Sequence, residues 1–600
     1  MQDCIDPLRV WVCAAHPNHS FRKDIAMASI FSNTFGRITE LFTGRKPWYT
    51  LPVILGLARV FRIRERLRSD NLYDTGKIDA IEAPPLGSPG ESQRMSRTVD
   101  GTFNDLGQPR MGCAGARFGR NVPLDRTLPD SSALLTPNPR TVSLELMTRN
   151  QFQPATSLNL LAASWIQFEV HDWISHGNND KDSPFVIPLD SEDTWPEPPM
   201  LIRRTRRDPN RRPGSTSPIP TYANTETHWW DGSQIYGSDL ETQNKVRLGV
   251  DGKLRLGSDN LLPVDPHTGI DISGVTGNWW VGLSMLHTLF TLEHNAICDR
   301  LHSEFKTWSD QELFDRARLI NAALMAKIHT VEWTTAIVAH PTVEAGMNQN
   351  WERIRKSKAE HHAAPYSITE EFVAVYRMHP LMPDDYSFRS FTTGNVMEER
   401  TFPEVFSKNA RGLMTRFSMA DLFYSFGVMN PGAITLHNFP RFLQQLERPD
   451  GPMIDLAAVD ILRDRERGVP RYNEFLKLID KEPVKKFEDL SSNKEWVTEI
   501  KRVYDGDINK VDLMVGMFAE DLPEGFGFSE TAFRVFILMA SRRLQSDRFF
   551  TTDYNEKTYT KVGLNWIEEN NMRTVLRRHI PALGPVLEKV DNAFKPWPKK

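Results

Sequence analysis

The sequence has few cysteines, no long apolar run and almost no net charge. Its 600 residues include only four cysteines, and 73 basic side chains nearly balance 77 acidic ones, giving a formal net charge of −4. Four cysteines without a CxxC pair are too few for a disulfide framework or a zinc site. A balanced charge creates no overall field that would attract nucleic acid. The low cysteine count excludes a disulfide-rich module. The balanced charge argues against a nucleic-acid partner.

The N-terminus and the apolar segments bear on location. MQDCIDPLRVWVC (1–13) has acidic residues ahead of a short, broken apolar stretch, unlike the basic start and long apolar core of a secretory signal. No apolar run reaches the roughly 18 residues that a membrane-spanning helix needs. We therefore expect an intracellular protein that is not secreted, with residues 1–40 forming a poorly ordered N-terminal extension.

Residues 41–81 leave two interpretations open. LPVILGLA (51–58) follows two aromatic residues, and RVFRIRERLR (59–68) then carries five arginines and one glutamate. Such an amphipathic helical segment can lie in a membrane interface, with its apolar side down and its cations toward the headgroups. A surface helix packed on the main domain explains the pattern equally well. The Pro-, Gly- and Ser-rich residues 82–96 then indicate a linker.

The remaining chain, 97–600, shows helical periodicity and little strand-like alternation. WSDQELFDRARLINAALMAKIHTVEWTTAI (308–337) opens with the capping pair Ser309 and Glu312 and continues with apolar residues at helical spacing. TSLNLLAASWIQFEVHDWISHG (156–177) has the same character and a cap candidate at its start. We predict an all-α protein whose main part is one large helical domain with little β-structure.

Polar residues interrupt the helix predicted within 156–177. Gln167 and His171 are four residues apart and share one face, whereas Asp172 is turned about 100° away from His171. A histidine on a helix this rich in apolar residues is more often a satisfied core residue than a functional one. Residues elsewhere in the chain must decide whether His171 is a core residue or a functional one.

The stretch THWWDGS (227–233) offers oxygen donors at every second position. Alternate residues of an extended loop point the same way, and hydroxyl, carboxylate and carbonyl oxygens are the ligands that Ca²⁺ prefers. A further carboxylate from the preceding helix would help to neutralise the ion. The predicted calcium ligands are Asp172, Thr227, Trp229 through its carbonyl, Asp231 and Ser233.

Five motifs, in order, resemble those of the animal-type haem peroxidase superfamily, which includes the cyclooxygenases. They are RTVDGTFNDL (97–106), the HD pair followed by TxWxDxS and QIYGS (171–238), LHTLFTLEHNAICDRL (286–301), RDRERGVPRYNEF (463–475) and RRLQSDRFF (542–550). The resemblance extends from about residue 97 onward. It implies the superfamily's helical fold with one bound haem b, and it supports the calcium site.

The resemblance also implies roles around the haem. His171 is implied as the distal histidine, with Gln167 one turn before it, and His379 as the proximal iron ligand. Asn473 is the implied acceptor for the other ring N–H of His379. Members with covalently linked haem carry an aspartate immediately before the distal histidine. Because Val170 stands there, we expect non-covalent haem.

YRMHPLMPD (376–384) narrows the resemblance to one branch. A tyrosine three residues before the proximal histidine is a cyclooxygenase feature, and GVTGNWWVGLSM (274–285) lacks the arginine with which conventional peroxidases polarise peroxide. KIHTVEWTTAI (327–337) and SRRLQSDRFFTTDYNEKTYTKVGLNWIEE (541–569) are similar to the fatty-acid α-dioxygenases. This implies a radical on Tyr376 that abstracts hydrogen from C2 of a long-chain fatty acid, after which O₂ adds to form a 2-hydroperoxy acid, an oxylipin.

The local pattern predicts where this helix starts and stops. Ser367 and Glu370 have the spacing of a capping box, so a helix should begin there and carry Tyr376 on its apolar side. Pro380 disfavours helical geometry at His379, so the helix should end or kink at that histidine.

Reaction at C2 requires the substrate carboxylate to be fixed close to the phenol, because positioning determines which carbon reacts. A buried carboxylate needs a cation and hydrogen-bond donors. The resemblance implies that His329, Thr334 and an arginine supply them, and we place the arginine at Arg548. Two alternatives remain open: His329 as a core histidine, and Arg548 beside a haem propionate.

Three other functions are compatible with the same fold and motifs. A haem peroxidase or a mid-chain fatty-acid dioxygenase would share the fold, and a non-catalytic haem or lipid carrier docked at a membrane would keep it without chemistry. The missing arginine argues against a peroxidase, and mid-chain enzymes usually carry an attached P450-like domain that we do not find. The pattern determines neither the preferred chain length nor the oligomeric state.

Overall fold

The computed structural model describes residues 44, 46–448 and 451–600, so the predicted extension at 1–40 lies outside the described residues. Helices dominate the described part. Its strands form three separate antiparallel pairs: Asp180–Ile187 with Met200–Arg204, Asp385–Arg389 with Val396–Thr401, and Leu446–Arg448 with Gly451–Ile454. The prediction of an all-α fold with little β-structure is confirmed.

The helices vary widely in length, and both short turns and long loops connect them. The α-helices of the described residues are Val53–Asp70, Glu91–Met95, Pro139–Val142, Leu160–Trp173, Ser233–Tyr236, Leu240–Val246, Val281–Glu304, Asp310–Ile328, Thr334–Ile337, Pro341–Ile354, Glu370–Val375, Phe402–Val405, Asn409–Arg416, Met419–Val428, Leu456–Glu466, Tyr472–Leu478, Lys494–Val503, Leu513–Ala519, Glu530–Ser546, Glu556–Glu569, Met572–His579 and Gly584–Leu587. Short 3₁₀ or π turns lie at Trp48–Thr50, Leu124–Arg126, Ser143–Met147, His329–Trp333, His379–Leu381, Arg441–Gln445, Phe487–Asp489, Ile508–Lys510, Arg548–Phe550 and Pro581–Leu583.

Three helices form the centre of the fold. Val281–Glu304 packs against both Leu160–Trp173 and Asp310–Ile328. Leu160–Trp173 is buried around almost its whole circumference, including the polar side chains of Glu169 and Asp172. The predicted cap of the third helix is confirmed, since the Ser309 hydroxyl accepts from the backbone N–H of Glu312 and the Glu312 carboxylate accepts from that of Ser309.

The central helix Leu160–Trp173 begins later than its local signals suggest. Its N-cap is Asn159 rather than a residue at 156 or 157, and the Asn159 amide donates to the carbonyls of Ala593 and Lys595 instead of capping the helix. Hydrogen bonds to the C-terminal segment therefore set the helix start. A sequence pattern read locally does not contain that contact.

The helix Val53–Asp70 lies within the predicted segment 41–81 and packs on the helices Pro341–Ile354 and Glu530–Ser546. The approach is close at Gly56, where a Cβ atom would lie 2.8 Å from the Thr342 hydroxyl oxygen. None of the described helices is both long and apolar enough to cross a membrane. Contact of this segment with a membrane surface stays a prediction.

Candidate active site

Tyr376 lies directly after the short helix Glu370–Val375. Its backbone has left helical geometry, with φ −92° and ψ 12°. The ring is buried, edge-on to the indole of Trp173 at a centroid distance of 6.0 Å, and the hydroxyl has no hydrogen-bond partner among the described residues. Burial raises the pKa of the phenol above its usual value, although the nearby Arg543 opposes this. The phenol therefore keeps its O–H hydrogen.

The predicted limits of this helix are wrong at both ends. The cap is Thr369, whose hydroxyl accepts from the backbone N–H of Phe372 at 3.2 Å, rather than Ser367. The helix ends at Val375, and His379 begins a separate 3₁₀ turn.

Among the described residues, His379 is held by a hydrogen bond at one of its two ring nitrogens. Its Nδ1 lies 2.7 Å from Oδ2 of Asp460, whose other oxygen accepts a hydrogen bond from Arg377. Burial opposes ionisation of Asp460, but His379 and Arg377 hold the pKa of the carboxyl below its usual value. A neutral imidazole that donates Nδ1–H to this carboxylate presents the lone pair of Nε2 as a free metal ligand.

Asn473 does not perform its predicted role. Its amide nitrogen donates to the carbonyl of Val484 and its amide oxygen accepts from the N–H of the same residue, both at 3.0 Å. The prediction that Asn473 accepts from His379 is therefore wrong, because backbone groups use both ends of the amide. Asp460 takes the hydrogen bond instead. The signal for it was an acidic residue on the helix just before the RDRERG motif.

Gln167 and His171 share a face of the central helix, as their spacing predicts. Gln167 is fixed by two contacts: it accepts from the Trp280 indole N–H at 2.8 Å and donates to the Asn278 carbonyl at 3.2 Å. Nδ1 of His171 is buried without a partner in the described part of the chain. Burial lowers the pKa of His171 to about 4, so the ring is neutral near pH 7 and can accept a proton.

His329 and Thr334 lie together in a π turn and the helix that follows it. Nδ1 of His329 accepts from the Trp165 indole N–H at 3.3 Å, and the Thr334 hydroxyl donates to the His329 carbonyl at 2.9 Å. Burial keeps the pKa of His329 well below its usual value. Because a neutral ring has one N–H and Nδ1 is the acceptor, the proton is on Nε2. This N–H is a donor for a ligand.

Both residues line a cavity with mainly apolar walls. The space inside it is about 650 Å³ when its open mouth is counted. Apolar side chains from the helices Val53–Asp70, Pro341–Ile354 and Glu530–Ser546 form the walls. The first helix thus contributes to the cavity that holds the two predicted carboxylate-binding residues.

Arg548 lies away from this cavity. Its guanidinium donates to the backbone carbonyls of Arg94 at 2.7 Å and Gln93 at 2.9 Å, and it pairs with Asp553. These contacts tie the segment before the first motif to the C-terminal part of the domain. The prediction that Arg548 binds the carboxylate is therefore wrong, because its donors are already used for protein structure.

Arg543 is the arginine that the sequence reasoning missed. It is only 1% exposed, its guanidinium carbon lies 4.0 Å from the ring centroid of Trp173, and Nε donates to the Tyr366 hydroxyl. Its two terminal amino groups are buried and have no hydrogen-bond partner among the described residues. Buried donors without acceptors are costly, which indicates an anionic ligand. Helical phase was the available signal, since Arg543 follows the cavity residue Ala540 by three positions.

The predicted calcium residues also meet. The backbone N–H and hydroxyl of Ser233 both donate to Oδ1 of Asp172, at 2.5 and 2.9 Å, and Arg318 lies 3.2 Å from Oδ2 of Asp231. Burial, and next the neighbouring Asp231 carboxylate, raise the pKa of Asp172 to about 7. Buried oxygens left without a hydrogen bond are Oδ2 of Asp172, Oγ1 of Thr227 and both carboxylate oxygens of Asp231.

This donor set fits a hard cation. Four buried oxygens lack a hydrogen bond and are of the type that binds Ca²⁺, although one of them, Oδ2 of Asp231, is paired with Arg318. The described residues contain no cluster of three or more His, Cys, Asp or Glu side chains suited to a metal. A cation here would therefore depend on hydroxyl and carbonyl oxygens, as the loop pattern predicts.

Comparison with known proteins agrees with this geometry. The family model for animal haem peroxidase matches residues 96–591. Alpha-dioxygenase 2 of Arabidopsis thaliana is 37% identical over 589 residues, which cover 92% of this chain and 91% of the relative. The crystal structure of Oryza sativa fatty acid alpha-dioxygenase aligns with a TM-score of 0.86 and 34% identity, covering 96% of this chain and 99% of that chain. A tyrosine-to-phenylalanine variant of the rice protein with palmitic acid aligns equally well, with a TM-score of 0.86, 34% identity and coverage of 97% and 99%. The chain therefore belongs to the animal haem peroxidase family, in its α-dioxygenase branch.

Proposed function

We propose that this protein is a haem-dependent fatty-acid α-dioxygenase, which adds O₂ at C2 of a long-chain fatty acid to give a 2-hydroperoxy acid. One observation carries the proposal: the indole of Trp173 contacts Tyr376, His329 and Arg543. A buried phenol thus shares a neighbour with a neutral imidazole and an unpaired guanidinium. Relatives that are α-dioxygenases over most of the chain support the same class.

The residues present fit a haem held without covalent bonds. His379 would hold the iron through Nε2 while Asp460 orients its ring, and His171 would offer a neutral imidazole to a hydroperoxide that reacts with the haem. Haem, when bound, supplies the oxidising power that removes an electron from a phenol. His171 accepts the proton that an incoming hydroperoxide releases.

Tyr376 performs the step that selects the substrate carbon. As a radical, its phenoxyl oxygen takes a hydrogen atom from C2, and O₂ adds to the carbon radical. The peroxyl group then takes the hydrogen atom back from the Tyr376 O–H, so the fatty acid and O₂ combine with no other loss or gain. Burial of the phenol keeps water away from the radical, and its unbonded hydroxyl is free to face the substrate.

Arg543, His329 and Thr334 hold the carboxylate in this proposal. The two free amino groups of Arg543 provide a charge-assisted, bidentate contact, and Nε2–H of His329 provides a further donor. The Thr334 hydroxyl can rotate from its backbone acceptor toward the ligand. Fixing the carboxylate here brings C2 to the phenol while the alkyl chain fills the apolar cavity.

Two further parts of the proposal concern calcium and location. Asp172, Thr227, Trp229, Asp231 and Ser233 hold Ca²⁺ next to the distal histidine, supported by the unsatisfied buried oxygens described above. The protein is intracellular and docks on membranes through Val53 and Ile54, which are 37% and 46% exposed on a helix that lines the cavity. Sedimentation with phosphatidylcholine vesicles tests the docking, and equal recovery of wild-type protein and a Val53→Ser/Ile54→Ser variant contradicts it.

Product analysis tests the central claim. Haem-loaded protein is incubated with palmitate and O₂, and the products are identified by mass spectrometry. We expect 2-hydroperoxypalmitate together with its C15 aldehyde breakdown product. Exclusively mid-chain oxygenation, or peroxide consumption without oxygenated fatty acid, contradicts the proposal and favours one of the alternative enzymes.

A further inference from the structure

Arg543 is held by aromatic faces rather than by carboxylates. Its guanidinium carbon lies 4.0 Å from the ring centroid of Trp173 and 4.7 Å from that of Trp230, and the two indoles meet edge to face at 5.1 Å. The buried Arg97, by contrast, contacts Asp547 at 2.9 Å. Cation–π contacts stabilise a buried guanidinium without using its N–H donors.

Trp230 is anchored by a buried acid. Its indole N–H donates to Oε2 of Glu169 at 3.0 Å, and the Glu169 side chain is fully buried. Glu169 precedes Trp173 by four residues on the helix Leu160–Trp173, so both lie on one helix face. This helix therefore positions both indoles, one directly and the other through the Glu169 carboxyl group.

The same two indoles border the other polar groups of the cavity. The His329 ring is edge-on to Trp173 at 5.3 Å and to Trp230 at 5.1 Å. Trp230 itself lines the cavity wall beside His329. A change in the angle of Trp230 would therefore move both the guanidinium of Arg543 and the imidazole of His329, which lines the cavity.

Glu169 is an acidic side chain that interacts electrostatically with Arg543, and its environment weakens that attraction. Burial, and next the Asp172 carboxylate, raise the pKa of Glu169 well above its usual value. An uncharged carboxyl group that accepts from an indole has little attraction for a guanidinium. The positive charge of Arg543 thus stays available.

We propose that Trp173 and Trp230, with Glu169 as the anchor of Trp230, form an aromatic holder that orients Arg543 and leaves its two amino groups for a fatty-acid carboxylate. Glu169 and Trp230 are positioning residues in this arrangement. The inference rests on the proposed function, because it assigns the carboxylate of the substrate as the ligand of Arg543.

The test distinguishes binding of the substrate carboxylate from binding of its alkyl chain. Equilibrium dissociation constants of the haem-loaded protein are measured for palmitate and for hexadecan-1-ol, which has the same chain length but no carboxylate. Trp230→Phe keeps an aromatic wall and removes the indole donor, whereas Glu169→Leu removes the acceptor. Glu169→Gln retains an acceptor of the same shape and serves as the matched control.

We expect Trp230→Phe and Glu169→Leu to raise the palmitate Kd about 5- to 20-fold, in the range of a weakened cation–π contact. The hexadecan-1-ol Kd should change less than about 2-fold, and Glu169→Gln should stay close to wild type for both ligands. Because both substitutions break one hydrogen bond, the double variant should lose no more palmitate affinity than the worse single variant.

Three results overturn the inference: equal losses for both ligands, unchanged palmitate affinity in Glu169→Leu, or additive losses in the double variant. The haem absorption spectrum and the melting temperature show which variants are folded. If Trp230→Phe does not fold, the comparison of Glu169→Leu with Glu169→Gln still tests the inference. The position of oxygenation by the wild-type protein tests the proposed function separately. If the wild-type protein oxygenates C2 but the dissociation constants do not change as expected, the aromatic holder is rejected and the proposed function is retained.

Discussion

Replacing Arg543 and Arg548 one at a time distinguishes an arginine that binds the substrate from one that stabilises the fold. Arg543→Leu removes a guanidinium whose terminal amino groups have no protein acceptor, and Arg548→Leu removes one that holds two backbone carbonyls and pairs with Asp553. The two side chains are of the same type, both are buried, and they are five positions apart. The substitutions should therefore affect different properties.

The magnitudes follow from the contacts. Removing one partner of a buried, hydrogen-bonded charge pair costs roughly 2–5 kcal/mol of binding, so Arg543→Leu should raise the palmitate KM by a factor of about 30 or more. Its free energy of unfolding should change less than that of Arg548→Leu, because the lost hydrogen bond to Tyr366 and the two lost aromatic contacts are offset by the removal of two buried amino groups that lack an acceptor. Arg548→Leu should lower the free energy of unfolding by about 2–4 kcal/mol, since charged hydrogen bonds contribute about 1.5–3 kcal/mol each.

Oxygen-electrode kinetics with palmitate measure the first property, and urea unfolding of the haem-loaded variants measures the second. Arg548→Leu should keep a KM within about threefold of wild type under conditions where it is folded. A large rise in KM for Arg548→Leu, or a normal KM for Arg543→Leu, would refute the assignment. Loss of stability in both variants without a difference in KM would show that neither arginine binds the substrate.

Four further outcomes are expected. Tyr376→Phe should bind haem with an unchanged absorption spectrum and lose oxygen uptake with palmitate, and retained uptake would exclude a radical on this residue. Asp460→Leu should weaken haem binding about 10- to 100-fold in a spectral titration, because the orientation of His379 depends on that carboxylate; a normal affinity would exclude this role. The His176 contact, together with nearby arginines, depresses the pKa of Glu370 from 4.5 to about 2 despite burial, so the stability it contributes is present above pH 4.5 and lost as the pH falls toward 2. Urea unfolding across that window should show a smaller pH slope for Glu370→Gln, and an unchanged slope would contradict the linkage. Calcium should raise the melting temperature of the wild-type protein, measured against EGTA, but not that of Asp231→Asn; equal shifts would place the ion elsewhere.

Features that depend on neighbouring residues in the chain could be predicted from the sequence. The shared face of Gln167 and His171 follows from helix geometry, and the cap formed by Ser309 and Glu312 follows from their spacing. The pairing of Asp172 with Ser233 was found because the motif order supplied a long-range contact that no local pattern contains. The absence of strand-like alternation was enough for the fold class.

The sequence by itself determined the fold class, the family, and the tyrosine and histidines around which the site is built. Only the tertiary structure decided that Asp460, rather than Asn473, supports His379, and that Arg543, rather than Arg548, keeps two buried amino groups without an acceptor among the described residues. The physical reason is that a polar group can bind a ligand only if no other part of the protein already satisfies it. Arg548 meets carbonyls more than 450 positions away along the chain, near residue 94, and such contacts exist only after folding.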